Sequence, residues 1–184
     1  MLHNFLKTLT RHIILVLFIG LCFNLSAQDE SFETALPPAH WATTNGTLST
    51  SADHYKLGTQ SLKWDWSSNA VITVSNLQSR GLVPSQVTNY NYNMFRMWVY
   101  NTAAISPQSL KVEFYDGSGT LQYFYNVQLN FTGWRAASAS YLYEMSGTKN
   151  TTNITTMKIK APSSGNGTFF FDFIDYTMAR NDSR

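Results

Sequence analysis

Short segments in which apolar and polar residues alternate recur along the chain after residue 40. The clearest are 61–66, 94–100 and 110–115, where every second residue is apolar. Because successive side chains of a β-strand point to opposite faces, this period of two predicts strands with one buried and one polar face. Further strands are predicted at 47–51, 70–74, 121–129, 133–140, 154–160 and 168–178, with a hairpin turn at 67–69 between two of them.

About nine or ten short strands at this spacing indicate an all-β fold, an antiparallel β-sandwich. The strands do not alternate with segments of helical period, which argues against an α/β fold. Aromatic residues make up 15% of the chain. They favour the same class, because aromatic side chains fit half-buried pleated surfaces.

The first 27 residues have the pattern of a secretory signal peptide. Lys7 and Arg11 form a basic start, an apolar run follows, and the segment ends in the small residue Ala27. The alternative is a retained membrane anchor, but the apolar run is shorter than the ~20 residues that span a bilayer. We therefore predict a signal peptide at 1–27 and one domain at 28–184, secreted or periplasmic, without membrane contact after cleavage.

Removal of that segment changes the charge balance. Lys7 and Arg11 are two of the 13 basic residues, and all 11 acidic residues follow Ala27, so the cleaved chain carries 11 of each. A neutral domain argues against nucleic-acid binding and against long-range capture of a polyanion. A local basic strip is compatible with this balance. The single cysteine, Cys22, leaves with the signal, so the domain has no disulfide.

The polar positions of several strands carry aromatic and basic side chains. If these strands share a sheet, the face is suited to sugar binding, since sugar rings stack on aromatic rings and Lys or Arg bind carboxylate or sulfate. The alternatives are a solvated face or a contact with a neighbouring domain. The candidate carbohydrate-binding residues are Lys63, Arg96, Trp98, Tyr100, Lys111 and Tyr115, and Glu113, Lys158 and Lys160 lie on the polar side of the same strands.

A second candidate site combines acidic residues from the start, the end and one loop of the domain. Asp172 lies among aromatic residues in the last strand, where an unpaired carboxylate is unfavourable. Carboxylates and loop carbonyls are hard oxygen ligands that suit a structural Ca²⁺. The alternative is that the acids cap turns or pair with Lys or Arg. The candidate metal-site residues are Ser31, Glu33, Asp53, Lys56, Gly58 and Asp172.

Motifs for catalysis are not found in the cleaved chain. Its two histidines, His40 and His54, have no partner at metal-ligand spacing, and no serine elbow or phosphate-binding glycine loop occurs. The acids are scattered along the strands. The residues thus favour a binding or structural module over an enzyme.

Several blocks together resemble one known family. These are Phe32-Glu33, the stretch 54–66 with Gly58, Ser61, Leu62, Trp64 and Trp66, the strand 95–101 with Phe95, Trp98, Tyr100 and Asn101, the blocks 129–135 and 160–163, and Asp172. In this order they are similar to the N-terminal β-sandwich domain of the bacterial chondroitin sulfate ABC lyases.

That resemblance implies a jelly-roll, galactose-binding-like sandwich that binds an acidic polysaccharide such as a glycosaminoglycan. In the family, uronate-containing chains are cleaved by β-elimination in a helical domain that no part of this chain resembles. We therefore expect a non-catalytic carbohydrate-binding-type module whose partners are C-terminal lyase domains, in a truncated or stand-alone form. The alternatives are a purely structural interdomain module, or a fragment of an enzyme whose activity needs the missing domains.

Overall fold

The computed structural model describes residues 29–30, 32–35, 37–80, 92–149 and 153–180. The predicted signal peptide at 1–27 and the candidate ligand Ser31 lie outside these residues, so both stay predictions. Among the helices of the described part, none is long and apolar enough to cross a bilayer.

Eight β-strands and one 3₁₀ turn make up the described chain. Each strand overlaps a predicted one, and the strands at 133–140 and 154–160 have the predicted bounds. The elements are β1 (Trp41–Ser51), β2 (Ser61–Val74), the 3₁₀ turn η1 (Gln78–Arg80), β3 (Tyr92–Asn101), β4 (Ser109–Asp116), β5 (Leu121–Gln128), β6 (Gly133–Ser140), β7 (Ile154–Lys160) and β8 (Asn166–Arg180).

All the strand pairs are antiparallel, in the order β5-β4-β7-β2-β8-β3-β6, and β1 pairs with β2. Strand β2 belongs to both halves of this order. Its residues 62–67 pair with β8, whereas its residues 71–74 pair with β7. The path therefore divides at β2 into one sheet with β8, β3 and β6 and a second sheet with β7, β4 and β5.

The predicted hairpin at 67–69 is wrong, because β2 runs through this segment without reversing. The buried residues keep one parity on both sides of it, from Leu62 and Trp66 to Ala70 and Val74. Residues 67–69 are exposed, and Asn69 has a φ of 58°. Asn tolerates this left-handed conformation better than most residues, so the segment bends the strand from one sheet into the other.

The two sheets pack face to face, which confirms the antiparallel sandwich. The Phe95 ring of β3 lies 5.2 Å from the Phe114 ring of β4 and 5.6 Å from the Tyr176 ring of β8. Strands β3 and β4 are separated by three strands in the sheet order, so these rings meet only because the sheet folds over at β2. The polar faces of the two sheets consequently lie on opposite sides of the molecule.

The segment before β1 is tied to the last strand. The Asp29 and Glu30 amides donate to the Ile174 carbonyl, and the Tyr176 amide donates to the Asp29 carboxylate at 2.6 Å. Phe32 is fully buried and packs edge-on against Trp41 at 5.4 Å. The beginning and the end of the described domain therefore lie together, and Glu33 follows directly.

Candidate functional site

The outer face of the first sheet is covered by residues 52–60, which we call the cap loop. His54 stacks on Tyr100 with ring centroids 3.8 Å apart and an angle of 14° between the rings. The Lys56 ammonium lies 4.1 Å from the centre of the Trp98 ring. Trp98 and Tyr100, two of the three aromatic residues that we predicted for sugar stacking, are thus covered by residues of the chain itself.

Two cations of this covered face, Arg96 and Lys63, are paired with carboxylates of the same face. Arg96 donates from Nε to Asp175 at 3.0 Å, forms a second bond to it from Nη2, and stacks over the Phe173 ring. Lys63 forms an ion pair with Asp65 at 3.3 Å. Few donors of this face are therefore left for a ligand.

Asp172 holds the middle of the cap loop. It is 1% exposed, and its Oδ2 accepts hydrogen bonds from the Lys56 amide at 2.6 Å and the Leu57 amide at 2.9 Å. Its Oδ1 accepts from the amide of Phe173 at 2.7 Å. Burial raises the pKa of Asp172 above its ordinary value, these amides oppose the increase, and the charge of Glu33 adds to it.

Glu33 holds the end of the same loop. Its carboxylate accepts from the Thr59 amide at 2.9 Å, from the Thr59 hydroxyl at 2.6 Å and from the Gln60 amide at 3.4 Å. Slight burial opposes ionisation, but these hydrogen bonds lower the pKa of Glu33. Gly58 lies against the carboxylate, since a Cβ at this position would be 2.1 Å from Oε1.

The candidate metal-site residues thus meet only in part. Glu33 and Asp172 converge on the cap loop, which contains Lys56 and Gly58, whereas Asp53 is exposed and its amide donates to the Ser51 hydroxyl. Within the described ranges, no group of three or more His, Cys, Asp or Glu is arranged to hold a metal. Two hard carboxylates beside a loop that can supply backbone carbonyls fit a calcium ligand set in chemistry.

The outer face of the second sheet is built around a buried acid. Glu113 is 1% exposed, and it accepts from Lys111 Nζ at 2.7 Å, from Lys160 Nζ at 2.8 Å and from the Tyr115 hydroxyl at 2.5 Å. Burial opposes ionisation of Glu113, but the bonds from the two lysines and the tyrosine outweigh it and lower its pKa. Burial and the bond to Glu113 together raise the pKa of Tyr115.

Two cation–π contacts complete this face. The Lys111 ammonium lies 4.4 Å from the centre of the Phe124 ring, and the Lys158 ammonium lies 4.7 Å from that of Tyr115. Side chains of β4, β5 and β7 are brought together by the strand register, which pairs Lys111 with Lys160 and Glu113 with both Lys158 and Phe124. We call this set the lysine face: Lys111, Glu113, Tyr115, Phe124, Lys158 and Lys160.

The six candidate sugar-binding residues do not share one face. Lys63, Arg96, Trp98 and Tyr100 lie on the covered face, and Lys111 and Tyr115 lie on the lysine face. Alternation shows which residues share a side of one strand, but not which strands are neighbours. Sequence reasoning missed Phe124 and the covering role of His54 and Lys56. The sequence signal for Phe124 was the alignment of β5 with β4 across the turn between them, which places Phe124 opposite Glu113.

Comparison with known proteins identifies the family. Residues 26–184 match the family described as "Lyase, N terminal". The chain belongs to the lyase N-terminal domain family. This finding confirms the resemblance seen in the sequence blocks.

Two relatives of this lyase N-terminal domain are named chondroitin sulfate ABC exolyases. The Proteus vulgaris protein is 33% identical over 144 residues, which are 78% of this chain and 14% of the relative. The Bacteroides thetaiotaomicron protein is 30% identical over 158 residues, which are 84% of this chain and 15% of the relative. The chain therefore spans about one seventh of the length of either relative.

Among solved structures, the CBM22-1 xylan-binding domain from Paenibacillus barcinonensis Xyn10C has a similar fold. The TM-score is 0.52 at 18% sequence identity, and the match covers 78% of this chain and 88% of that domain. The likeness supports the β-sandwich of the lyase N-terminal domain and concerns the fold alone.

Proposed function

We propose that this chain is a non-catalytic, carbohydrate-binding-type module of a chondroitin-sulfate-lyase-type protein, and that it binds an acidic polysaccharide. The observation that carries the proposal is the family match over residues 26–184. Two relatives carry the name of chondroitin sulfate ABC exolyase, and a solved xylan-binding domain shares the sandwich. A secreted or periplasmic location and C-terminal lyase domains as partners belong to the same proposal.

The test is a glycan-binding panel on the purified chain. Affinity electrophoresis in gels that contain chondroitin sulfate, hyaluronan or a neutral xylan measures the retardation by each polymer. We expect retardation by the anionic polymers, because the proposed ligand is acidic. Unchanged mobility in every gel overturns the binding proposal and favours a structural interdomain module.

The non-catalytic part of the proposal has its own readout. β-Elimination at a uronate creates an unsaturated product that absorbs ultraviolet light, so the isolated chain should leave the absorbance of chondroitin sulfate unchanged. A steady rate that scales with protein concentration and survives a second purification step would show that the chain is itself a lyase.

We further propose that Ca²⁺ binds between Glu33 and Asp172 and stabilises the fold without a catalytic role. The proposal is supported by two carboxylates that converge on one loop, by the effect of Glu33 on the pKa of Asp172, and by the hard oxygen donors. Carbonyls of the cap loop, at Asp53, Lys56 or Gly58, are the candidate neutral ligands.

Thermal melting with calcium and with a chelator tests the metal site. Calcium at about 100 times its Kd should add about 2.7 kcal/mol to the free energy of unfolding. The double variant Glu33→Gln/Asp172→Asn should lose this increment, because both anionic ligands become neutral amides of the same shape. If the natural chain melts at the same temperature with calcium and with chelator, the calcium proposal is wrong and Glu33 and Asp172 act only as hydrogen-bond acceptors for the cap loop.

A further inference from the structure

The lysine face combines three ammonium groups with one carboxylate. Within β4, β5 and β7, the charged residues are Lys111, Glu113, Asp116, Lys158 and Lys160. Asp116 belongs to the β4–β5 turn, where its Oδ1 accepts from the Ser118 and Thr120 amides. Glu113 is therefore the one acid of these three strands that lies among the three lysines, and the face keeps an excess of positive charge in a domain that is neutral as a whole.

The strand register makes this excess unfavourable for the protein alone. Lys111 and Lys160 are direct cross-strand partners, and like charges directly opposite each other destabilise a sheet. Glu113 bonds to both of these lysines, but Lys158, its own cross-strand partner, lies over the Tyr115 ring instead. A second anion on this face would relieve the remaining repulsion.

The ammonium groups are also held in place and remain accessible. The side chains of Lys111 and Lys160 are 37% and 40% exposed, and each ammonium offers three donors, of which Glu113 uses one. Glu113 and the rings of Tyr115 and Phe124 restrict the lysine rotamers before any ligand arrives. Less conformational entropy is then lost when an anion binds.

We propose that the lysine face is the polyanion-binding site of this module, with Lys111, Lys158 and Lys160 donating to sulfate or uronate carboxylate groups. Glu113 is a positioning residue, because it orients two of the lysines from below the surface. The covered face is the less suitable surface, since Lys63 and Arg96 are paired with acids and the Trp98 and Tyr100 rings are covered by the cap loop. The inference rests on the proposed function, which it deepens by naming the face and the ligand chemistry.

The test measures the affinity of a fluorescently labelled chondroitin sulfate oligosaccharide by anisotropy. Lys158→Gln should weaken binding about fivefold, since it removes one charge pair with the ligand and leaves the hydrogen bonds of Glu113 intact. The triple variant Lys111→Gln/Glu113→Gln/Lys160→Gln replaces the cluster by neutral amides and should weaken binding by about tenfold or more. The matched control Arg135→Gln removes one exposed positive charge from β6 and should change affinity less than twofold.

The outcomes separate this inference from the proposed function. If the natural chain binds and both lysine-face variants bind equally well while their melts stay cooperative, the lysine face is not the binding site. The proposed polysaccharide-binding function would then still stand. Absence of any binding by the natural chain overturns both. Unlabelled hyaluronan and desulfated chondroitin as competitors identify the anion: equal competition assigns uronate carboxylates, and weaker competition than chondroitin sulfate assigns sulfates. Competition by neutral xylan as strong as that by chondroitin sulfate contradicts the inference.

Discussion

The two outer faces of the sandwich carry similar residue types and use them differently. On the covered face, Arg96 is paired with Asp175, Trp98 lies under Lys56, and Tyr100 lies under His54. On the lysine face, Lys111 and Lys160 share Glu113 and Lys158 lies over the Tyr115 ring, and no loop of the described chain is stacked on their aromatic neighbours. A basic and aromatic composition therefore does not define a binding surface until the neighbours of each side chain are known.

The largest expected effect is the loss of the acid that holds the cap loop. Asp172→Ala should lower the free energy of unfolding by about 3 kcal/mol, because three backbone amides lose their acceptor beside a buried site. The matched control Asp65→Ala removes an acid of the same sheet that is 46% exposed, and should change stability by about 0.5 kcal/mol or less. Equal urea-unfolding midpoints for the two variants would contradict the assigned role of Asp172.

A glycine pair provides the next comparison. Gly58 has a φ of +74° and lies against Glu33, whereas Gly119 has a φ of +81° in the β4–β5 turn with open space around it. The positive φ makes alanine unfavourable at either position and lowers the free energy of unfolding by about 1 kcal/mol. At Gly58 the Cβ also displaces the Glu33 carboxylate from Thr59.

Gly58→Ala should therefore destabilise the domain by about 2 kcal/mol, against about 1 kcal/mol for Gly119→Ala. Chemical denaturation of both variants measures the difference. If Gly119→Ala were as destabilising as Gly58→Ala, the contact between Glu33 and the cap loop would contribute nothing to stability.

The contributions of Glu113 and Asp172 to the stability of the fold should depend on pH in opposite directions. The folded-state pKa of Glu113 lies below its ordinary value of 4.5, so its stabilisation is present above that value and is lost as the pH falls through the folded pKa. The pKa of Asp172 lies above its ordinary value of 3.8, so its contribution is complete below 3.8 and is lost as the pH rises through the folded pKa.

Melts of Glu113→Gln and Asp172→Asn at several pH values, in chelator, measure these contributions. As the pH falls below about 4.5, the stability difference between the natural chain and Glu113→Gln should disappear. As the pH rises above about 4, the natural chain should lose stability relative to Asp172→Asn. Parallel curves for the natural chain and both variants would contradict the two pKa directions.

The smallest expected effect is an unchanged signal. Trp41, Trp64 and Trp66 are buried in the core, and Trp98 and Trp134 lie on the covered face, so no tryptophan lies on β4, β5 or β7. Saturating chondroitin sulfate should therefore leave the tryptophan emission maximum unchanged. A shift or strong quenching on binding would point to the covered face.

Much of the fold could be predicted from local pattern. Alternation located β2, β3 and β4, because a half-buried strand alternates, and turn residues between the apolar runs helped to locate the other strands. The bend at 67–69 could not be distinguished from a hairpin in the sequence, because polar turn residues occur in both. The pairing of β2 with both β7 and β8 is what identifies it as a bend.

The site was less predictable for the same reason. Lys111 and Lys160 are neighbours through the register of β4 and β7, which are far apart in the sequence, and alternation holds no information on such a pairing. The residues of the cap loop show no regular alternation of apolar and polar positions, so the sequence could not predict that the loop packs on Tyr100 and Trp98. The convergence of Glu33 and Asp172 was expected, because the start and end of such sandwiches meet.

Backbone amide NMR during titration with a chondroitin sulfate oligosaccharide shows which face of the sandwich the polysaccharide contacts. We predict that the largest shift changes fall on β4, β5 and β7, centred on Lys111, Tyr115 and Lys160, and that residues of the cap loop change little. Changes confined to the cap loop, Trp98 and Tyr100, with β4 and β7 unaffected, would contradict the assignment of polysaccharide binding to the lysine face.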